Sequence, residues 1–148
     1  MELIEIHFRK AMLNDADLLL RWRNDEGSRK NSNNSAPVLP ERHLKWLLQT
    51  LADPNRILLI AEHENVPVGT IRFDRLAPET WEMSWTVAPE FRGRGIGKAL
   101  VGNGTSFVAG EIQAVVKDHN LASIRIAEEA GFKKISHRDG CLVFSLRR

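Results

Sequence analysis

The stretch WEMSWTVAPEFRGRGIGKAL, Trp81 to Leu100, decides how the rest of the chain is read. Its first third, Trp81 to Val87, is aromatic and β-branched and reads as a strand. Pro89 has no N–H to give a ladder and breaks the strand. Arg92-Gly93-Arg94-Gly95-Ile96-Gly97 follows, and from Lys98 onward the chain reads as a helix. A strand, a glycine-rich turn and a helix N-terminus make an anion site. Glycine lets backbone approach a ligand, and the unpaired amides at a helix start, with the helix dipole, favour negative charge. Arg92, Arg94 and Lys98 add full positive charges. The spacing predicts a cradle for the pyrophosphate of a cofactor.

Two common nucleotide motifs do not fit. A Walker loop needs Gly-Lys followed by Ser or Thr, and here Lys98 is followed by Ala99. A dinucleotide fingerprint is GxGxxG directly after a strand, whereas these glycines fall as GxGxG some residues beyond it. Glu111 could play the acidic part of that fingerprint, but no first βαβ unit precedes it. What remains is Arg-x-x-Gly-x-Gly, filled by Arg92, Gly95 and Gly97 and preceded by Val87-Ala88-Pro89-Glu90. This resembles the acetyl-CoA signature of the GNAT superfamily of N-acetyltransferases.

Length and composition bound the alternatives. A chain of 148 residues is one domain by length, 1–148, and large enough for a proper core. A net charge of +2 without any long basic run gives no electrostatic arm for nucleic acid. No apolar run is long enough to cross a membrane, and the N-terminus lacks the layout of a signal peptide. A single cysteine, Cys141, cannot form an internal disulfide. Together these predict a cytoplasmic location. The histidines, at 7, 43, 63, 119 and 137, have no ligand spacing between them, so no metal is expected.

Outward from the opening stretch, Leu3 to Arg9 reads as a first strand. Asn14 or Asp15 can cap a helix to about Arg23, with Ala16, Leu19, Leu20 and Trp22–Arg23 on or near its inner face. Asn24 to Pro40 is polar, has no helical or strand period before Val38, and reads as a long loop of the kind that is functional or mobile. Glu41 to Ala52 is a second helix, with Leu44, Leu47, Leu48 and Leu51 as its apolar stripe and Trp46 beside it. Arg56 to His63, Val66 to Leu76 and the Trp81 strand form a meander, and Gly69 marks a bulge or a close contact. The helix from Gly95 to about Gly110 places Ile96, Ala99, Leu100, Phe107 and Val108 on one face. Its glycines at 102, 104 and 110 imply either very close packing or irregularity. Ile112 to Val116 is a strand, Asn120 starts a helix that Gly131 ends, and Lys133–His137 and Cys141–Leu146 close the chain around the hairpin turn Asp139-Gly140.

The resulting order, β-α-α-β-β-β-α-β-α-β-β, is that of the GNAT fold: an α/β (α+β) mixed, mostly antiparallel sheet with helices on both faces. A second motif strengthens the resemblance. Asn120, Ser123 and Gly131-Phe132 match the helix after the fifth strand in that superfamily. Ala127 stands where the superfamily usually has a Tyr, and the chain contains no tyrosine. The resemblance implies direct attack of a primary amine on acetyl-CoA in a ternary complex. The pantetheine arm would lie where the fourth and fifth strands splay. It implies cofactor contacts from Trp85, Val87, the Arg92, Gly93, Arg94, Gly95, Ile96, Gly97 and Lys98 run, Asn120 and Ser123. The missing Tyr leaves the protonation of the thiolate to Ser123 or water. Asn120 and Ser123 also read simply as an N-cap and its N3 partner. For the base, Glu82 is the first candidate, with Ser84 and Thr86 on its face by alternation. His63, Asp74 and His119 are weaker candidates.

Acceptor selection, by resemblance, falls to the first two helices and the loop joining them. This region is rich in amides, hydroxyls and Arg near Trp22, and suits a polyol, a sugar or a phosphate-bearing group better than a Lys-rich peptide. Arg23-Asn24, Trp46, Gly69, Arg72 and Asp74 are similar to a narrower group that acetylates nucleotide-linked 4-amino-4,6-dideoxy sugars, as in pseudaminic acid synthesis. That similarity implies substrate contacts from Trp22, Arg23, Asn24, Arg72 and Asp74. Acetyltransferases of ribosomal-protein N-termini share much of the layout. A non-catalytic CoA-binding module, which the absent Tyr would allow, is the third reading, and a homodimer is compatible with all three.

Overall fold

The computed structural model describes residues 4–32 and 35–147. Seven strands, β1 (His7–Lys10), β2 (Arg56–His63), β3 (Val66–Ala77), β4 (Thr80–Val87), β5 (Glu111–Lys117), β6 (Lys133–Arg138) and β7 (Cys141–Arg147), form one sheet of order β1-β2-β3-β4-β5-β7-β6. The helices are α1 (Ala16–Asn24), α2 (Glu26–Lys30), α3 (Pro40–Ala52), α4 (Ile96–Gly104) and α5 (Leu121–Glu129). The expected mixed sheet between helical layers is what forms. Leu3, the expected start of the first strand, lies outside the described residues.

The sheet's two faces are sorted by alternation. Ile71, Phe73 and Met83 are buried with Leu100 and Val101 of α4. Leu58 and Ile60, on the other face, are buried with Leu19 and Trp22 of α1 and Leu47 of α3. The hairpins turn on Glu64-Asn65 and Asp139-Gly140, all at positive φ, the turn geometry that matches strand twist. Gly69 is a close contact. A Cβ there would strike the Thr86 carbonyl and sit 2.9 Å from Leu100 Cδ1. The bulge lies beside it, between Ala61 and Glu62.

The central irregularity is between β4 and β5. They pair in parallel only at Thr80–Glu82 against Glu111–Gln113. Beyond Glu82, β4 keeps β3 on one side and has no strand on the other among the described residues, while β5 stays paired to β7 out to Lys117. The sheet therefore opens into a gap, as the resemblance implied.

Three expectations need correction. The 24–40 segment is not simply a loop, since it contains α2. Five residues show no apolar period. The helix is set instead by Asp25, whose carboxylate accepts the Ser28 amide, and by Glu26 at its start with Arg29 and Lys30 at its end. On α3 the buried stripe is His43, Leu47 and Thr50. Leu44, Leu48 and Leu51 are exposed, because a helix with apolar residues on two sides has two candidate stripes and packing chooses one. The fourth helix ends at Gly104, and Phe107 beyond it is half exposed, edge-on to Phe8. Its glycines fit both expectations. A Cβ at Gly104 would lie 2.7 Å from Ile71 Cδ1, whereas Gly102 faces open space.

The entry to α1 is pinned by charge. Asp15 is 7% exposed, receives both Arg9 Nη atoms at 2.9 Å and accepts the Met12 amide at 2.8 Å. It closes back on Met12 rather than capping α1. The Arg9 bonds hold its carboxyl below the usual carboxylate range. A depressed folded value adds stability that is full above the unfolded value of about 3.9 and fades as pH falls through the folded one. Asp15→Asn should therefore cost about 1–2 kcal/mol at neutral pH, discounted because Arg9 is partly exposed. Urea denaturation should show the gap to the wild type closing at acid pH, and a pH-independent gap would refute the ionic account.

Candidate functional site

The Gly93–Gly97 turn is built as its sequence suggests. Gly93 and Gly95 sit at φ 77° and 78°, and Gly95 is the N-cap of α4. None of the amides from Gly93 to Lys98 has a hydrogen-bond partner among the described residues. A run of free amides ending in a helix N-terminus fits a pyrophosphate. Gly97 has a separate role. A Cβ there would lie 2.5 Å from Ile126 Cδ1, so its absence lets α4 close on α5.

The cations expected beside this cradle are already engaged. Arg92 pairs with Asp25 at 2.9 Å and donates to Ser28 Oγ at 3.1 Å. Arg94 lies over the Phe91 ring, and Lys98 is 3.6 Å from Glu129. Burial pushes the Asp25 carboxyl up, but the Ser28 amide and Arg92 outweigh this and leave it below its ordinary range. At its other end α2 receives Lys117 Nζ on the Lys30 carbonyl at 3.3 Å. The helix is thus tied both to the glycine loop and to the end of β5, one attachment on each side of the gap.

A cleft of about 1260 Å³ runs through this gap. On one side it is lined by the glycine turn, Lys98, Asn120, Ser123 and Arg125. Asn120 is the N-cap of α5, its Oδ1 accepting the Ser123 amide at 3.2 Å. Trp85 and Val87 also line the cleft, and Trp85 Nε1 donates to Ser123 Oγ at 3.2 Å. On the other side the lining comes from α1, α3 and the opposite sheet face. Glu82, Ser84 and Thr86 do share a face, standing opposite Asp74, Arg72 and Thr70 of β3. Glu82 lines the cleft.

Among the expected substrate residues, Trp22, Arg23 and Arg72 line the cleft, and Asn24 and Asp74 do not. Asn24 instead clamps the loop, its Nδ2 donating to the Val38 carbonyl at 2.9 Å and its Oδ1 accepting the Val38 amide at 2.7 Å. Asp74 holds Arg72 at 3.0 Å and Arg56 at 3.5 Å. Arg72 in turn lies over the Trp46 ring at 5.6 Å. Of the weaker base candidates, His63 is at the β2 end bonded to the Glu5 carbonyl, and neither it nor His119 lines the cleft.

The sequence reading passed over His43. It is 5% exposed, lines the cleft and sits 5.4 Å from the Trp46 ring. Burial, then the charge of Arg23, holds its pKa down, so the imidazole is neutral at neutral pH. Burial and Arg29 likewise disfavour the Arg23 cation, marking this end as a place where positive charge accumulates. Gly27, Ser28 and Asn31, on or beside α2, were also missed. The one available signal was the Pro40 start of α3, which makes His43 a first-turn residue.

Comparison with known proteins follows the same line. A family model described as acetyltransferase (GNAT) family matches residues 17–132. No curated protein sequence matches significantly. Among solved structures, spermidine N-acetyltransferase from Vibrio cholerae, with CoA and spermine, superposes with TM-score 0.86 at 14% identity, covering 95% of this chain and 94% of that one. An aminoglycoside acetyltransferase with coenzyme A and kanamycin gives 0.82 at 20%, covering 97% and 95%. Ribosomal-protein-alanine N-acetyltransferase from Brucella melitensis gives 0.76 at 24%, covering 96% and 99%. At these identities they share the fold.

Proposed function

The chain belongs to the GNAT family of acetyltransferases, and from that premise we propose that its acceptor is a small primary amine bearing oxygen-rich or anionic groups, best matched by a nucleotide-linked amino sugar. The donor, acetyl-CoA, supplies an activated acetyl group as a thioester.

The observation that carries the acceptor reading is the donor set on the far side of the gap. Trp22 is 2% exposed, and its buried indole N–H has no hydrogen-bond partner among the described residues. A buried donor left unsatisfied is costly, and a shift of the wall on acceptor binding would bring it a ligand oxygen. Arg23 and Arg72 lie on the same wall, with Glu82 as its acidic member. On this wall the two arginines outnumber the one Glu, a balance that favours an acceptor carrying anionic groups over polycations such as spermine or kanamycin. Glu82 acts as base toward the acceptor ammonium, directly or through one water. Backbone amides of β4 beyond the seam are the candidates for holding the developing oxyanion.

Thiol release from acetyl-CoA with matched panels of amines tests this. Nucleotide-linked amino sugars should be turned over at kcat/KM at least about tenfold above polyamines and above peptides with free N-termini, the margin one charge contact gives. Preference for peptides would establish the protein N-terminal reading. Preference for spermidine would refute the electrostatic argument.

A further inference from the structure

We propose that Ser123 and Trp85 together hold the departing thiolate, Ser123 by a hydrogen bond to sulfur and Trp85 as the residue that positions it. The inference rests on acetyl-CoA being the donor and on the cleft being its site. No tyrosine exists in the chain, and Ala127, at the position where the superfamily places one, is fully buried, so nothing larger fits there without displacing core. Trp85 supplies a polar group from a different element. It leaves β4 beyond the seam on the face of α5, packs against Phe132 with ring centroids 6.4 Å apart, and donates Nε1–H to Ser123 Oγ at 3.2 Å.

An indole nitrogen only donates, so Ser123 is the acceptor in that bond. Its own hydroxyl proton has no acceptor among the described residues, and Ser123 lines the cleft. The Trp85 bond thereby occupies one lone pair and leaves the O–H for a ligand. A second observation points the same way. Ser123 lies in the first turn of α5, where the positive end of the helix dipole lowers the pKa of a nearby thiol.

Hydroxyl chemistry sets the nature of the help. An alkyl hydroxyl is a much weaker acid than a thiol, so Ser123 does not give up its proton. In the step, the acceptor nitrogen bonds to the acetyl carbon as the carbon–sulfur bond breaks, and the sulfur keeps that electron pair, stabilised by the Ser123 O–H. Glu82 takes the first proton from the acceptor ammonium, the nitrogen releases its second to solvent as the amide forms, and solvent protonates the thiolate afterwards.

The test needs no acceptor amine. The thiol of bound CoA is titrated by thiolate ultraviolet absorbance in the wild type and in Ser123→Ala, Ser123→Thr, Trp85→Phe and the Ala/Phe double variant. Calorimetric CoA binding and thermal melts report folding. In the wild type the bound thiol should titrate below the free-thiol value of about 8.5. Ser123→Ala should raise it by about one unit, a tenfold loss of thiolate at a given pH. Ser123→Thr should keep the wild-type value. Trp85→Phe, which keeps the ring but loses the N–H, should give a smaller rise, and the double variant should match Ser123→Ala alone. An unchanged titration in Ser123→Ala overturns the pair, and an unchanged one in Trp85→Phe overturns the positioning role. Wild-type protein that does not bind CoA removes the cofactor premise itself, a result distinct from either.

Discussion

Gly95→Val should weaken acetyl-CoA binding by about a hundredfold or more. Gly95 sits at φ 78° as the N-cap of α4. Valine, β-branched, either stays there at a strain of about 1–3 kcal/mol or relaxes to an ordinary φ. Relaxation turns the following peptide planes, and the free amides from Gly93 to Lys98 then no longer converge. Either route removes preorganised donors from a dianionic group, where each charge-assisted bond contributes about 1.5–3 kcal/mol. Isothermal calorimetry with CoA measures the loss. Gly102→Ala on the same helix is the control. A Cβ there meets nothing within 4 Å, so the change should stabilise by about 0.5–1 kcal/mol and leave CoA affinity alone. A folded Gly95→Val protein with wild-type affinity would refute the cradle.

Glu82→Gln should lower turnover by about 10²- to 10⁴-fold, the usual range for a general base, with CoA affinity unchanged. Glutamine keeps the shape and loses the proton acceptor. The residual rate should climb with pH, because an amine already deprotonated in solution needs no base. Full activity would point past Glu82 to His43, a cleft-lining imidazole whose burial keeps it neutral at neutral pH. A variant whose CoA affinity falls together with its turnover would mean that Glu82 organises the gap and does not act on the acceptor.

How far the sequence reaches can be seen residue by residue. The backbone of the glycine turn was legible because proline and glycine constrain backbone locally, and local constraint survives any tertiary context. The faces of β4 were legible for a similar reason: period-two alternation holds unless a bulge intervenes, and none lies between Glu82 and Thr86. The buried stripe of α3 was not. Leu44, Leu48 and Leu51 and the true set, His43, Leu47 and Thr50, have comparable helical spacings, and only the packed sheet distinguishes them. Nor was α2, five residues without an apolar period, held by the Asp25 cap and tied down by Arg92 and Lys117. The same holds for the site. Arg92 was read as a phosphate cation because it adjoins the glycines, yet its side chain reaches an aspartate 67 positions earlier in the chain. Asn24 and Asp74 were read as acceptor contacts and instead orient groups behind the wall.

The parallel seam between β4 and β5 spans only three residue pairs. Mechanically, the sheet is two plates, β1–β4 and β5–β7–β6, hinged along that short line and braced by α4 against α5. A molecule lodged in the gap touches both plates and serves as a removable rivet. Occupancy then enters the folding equilibrium directly: at a ligand concentration about a hundred times its Kd, mass action adds about 2.7 kcal/mol to whatever unfolding separates the plates. The opening proposed to admit the cofactor thus coincides with the short parallel seam that joins the two plates.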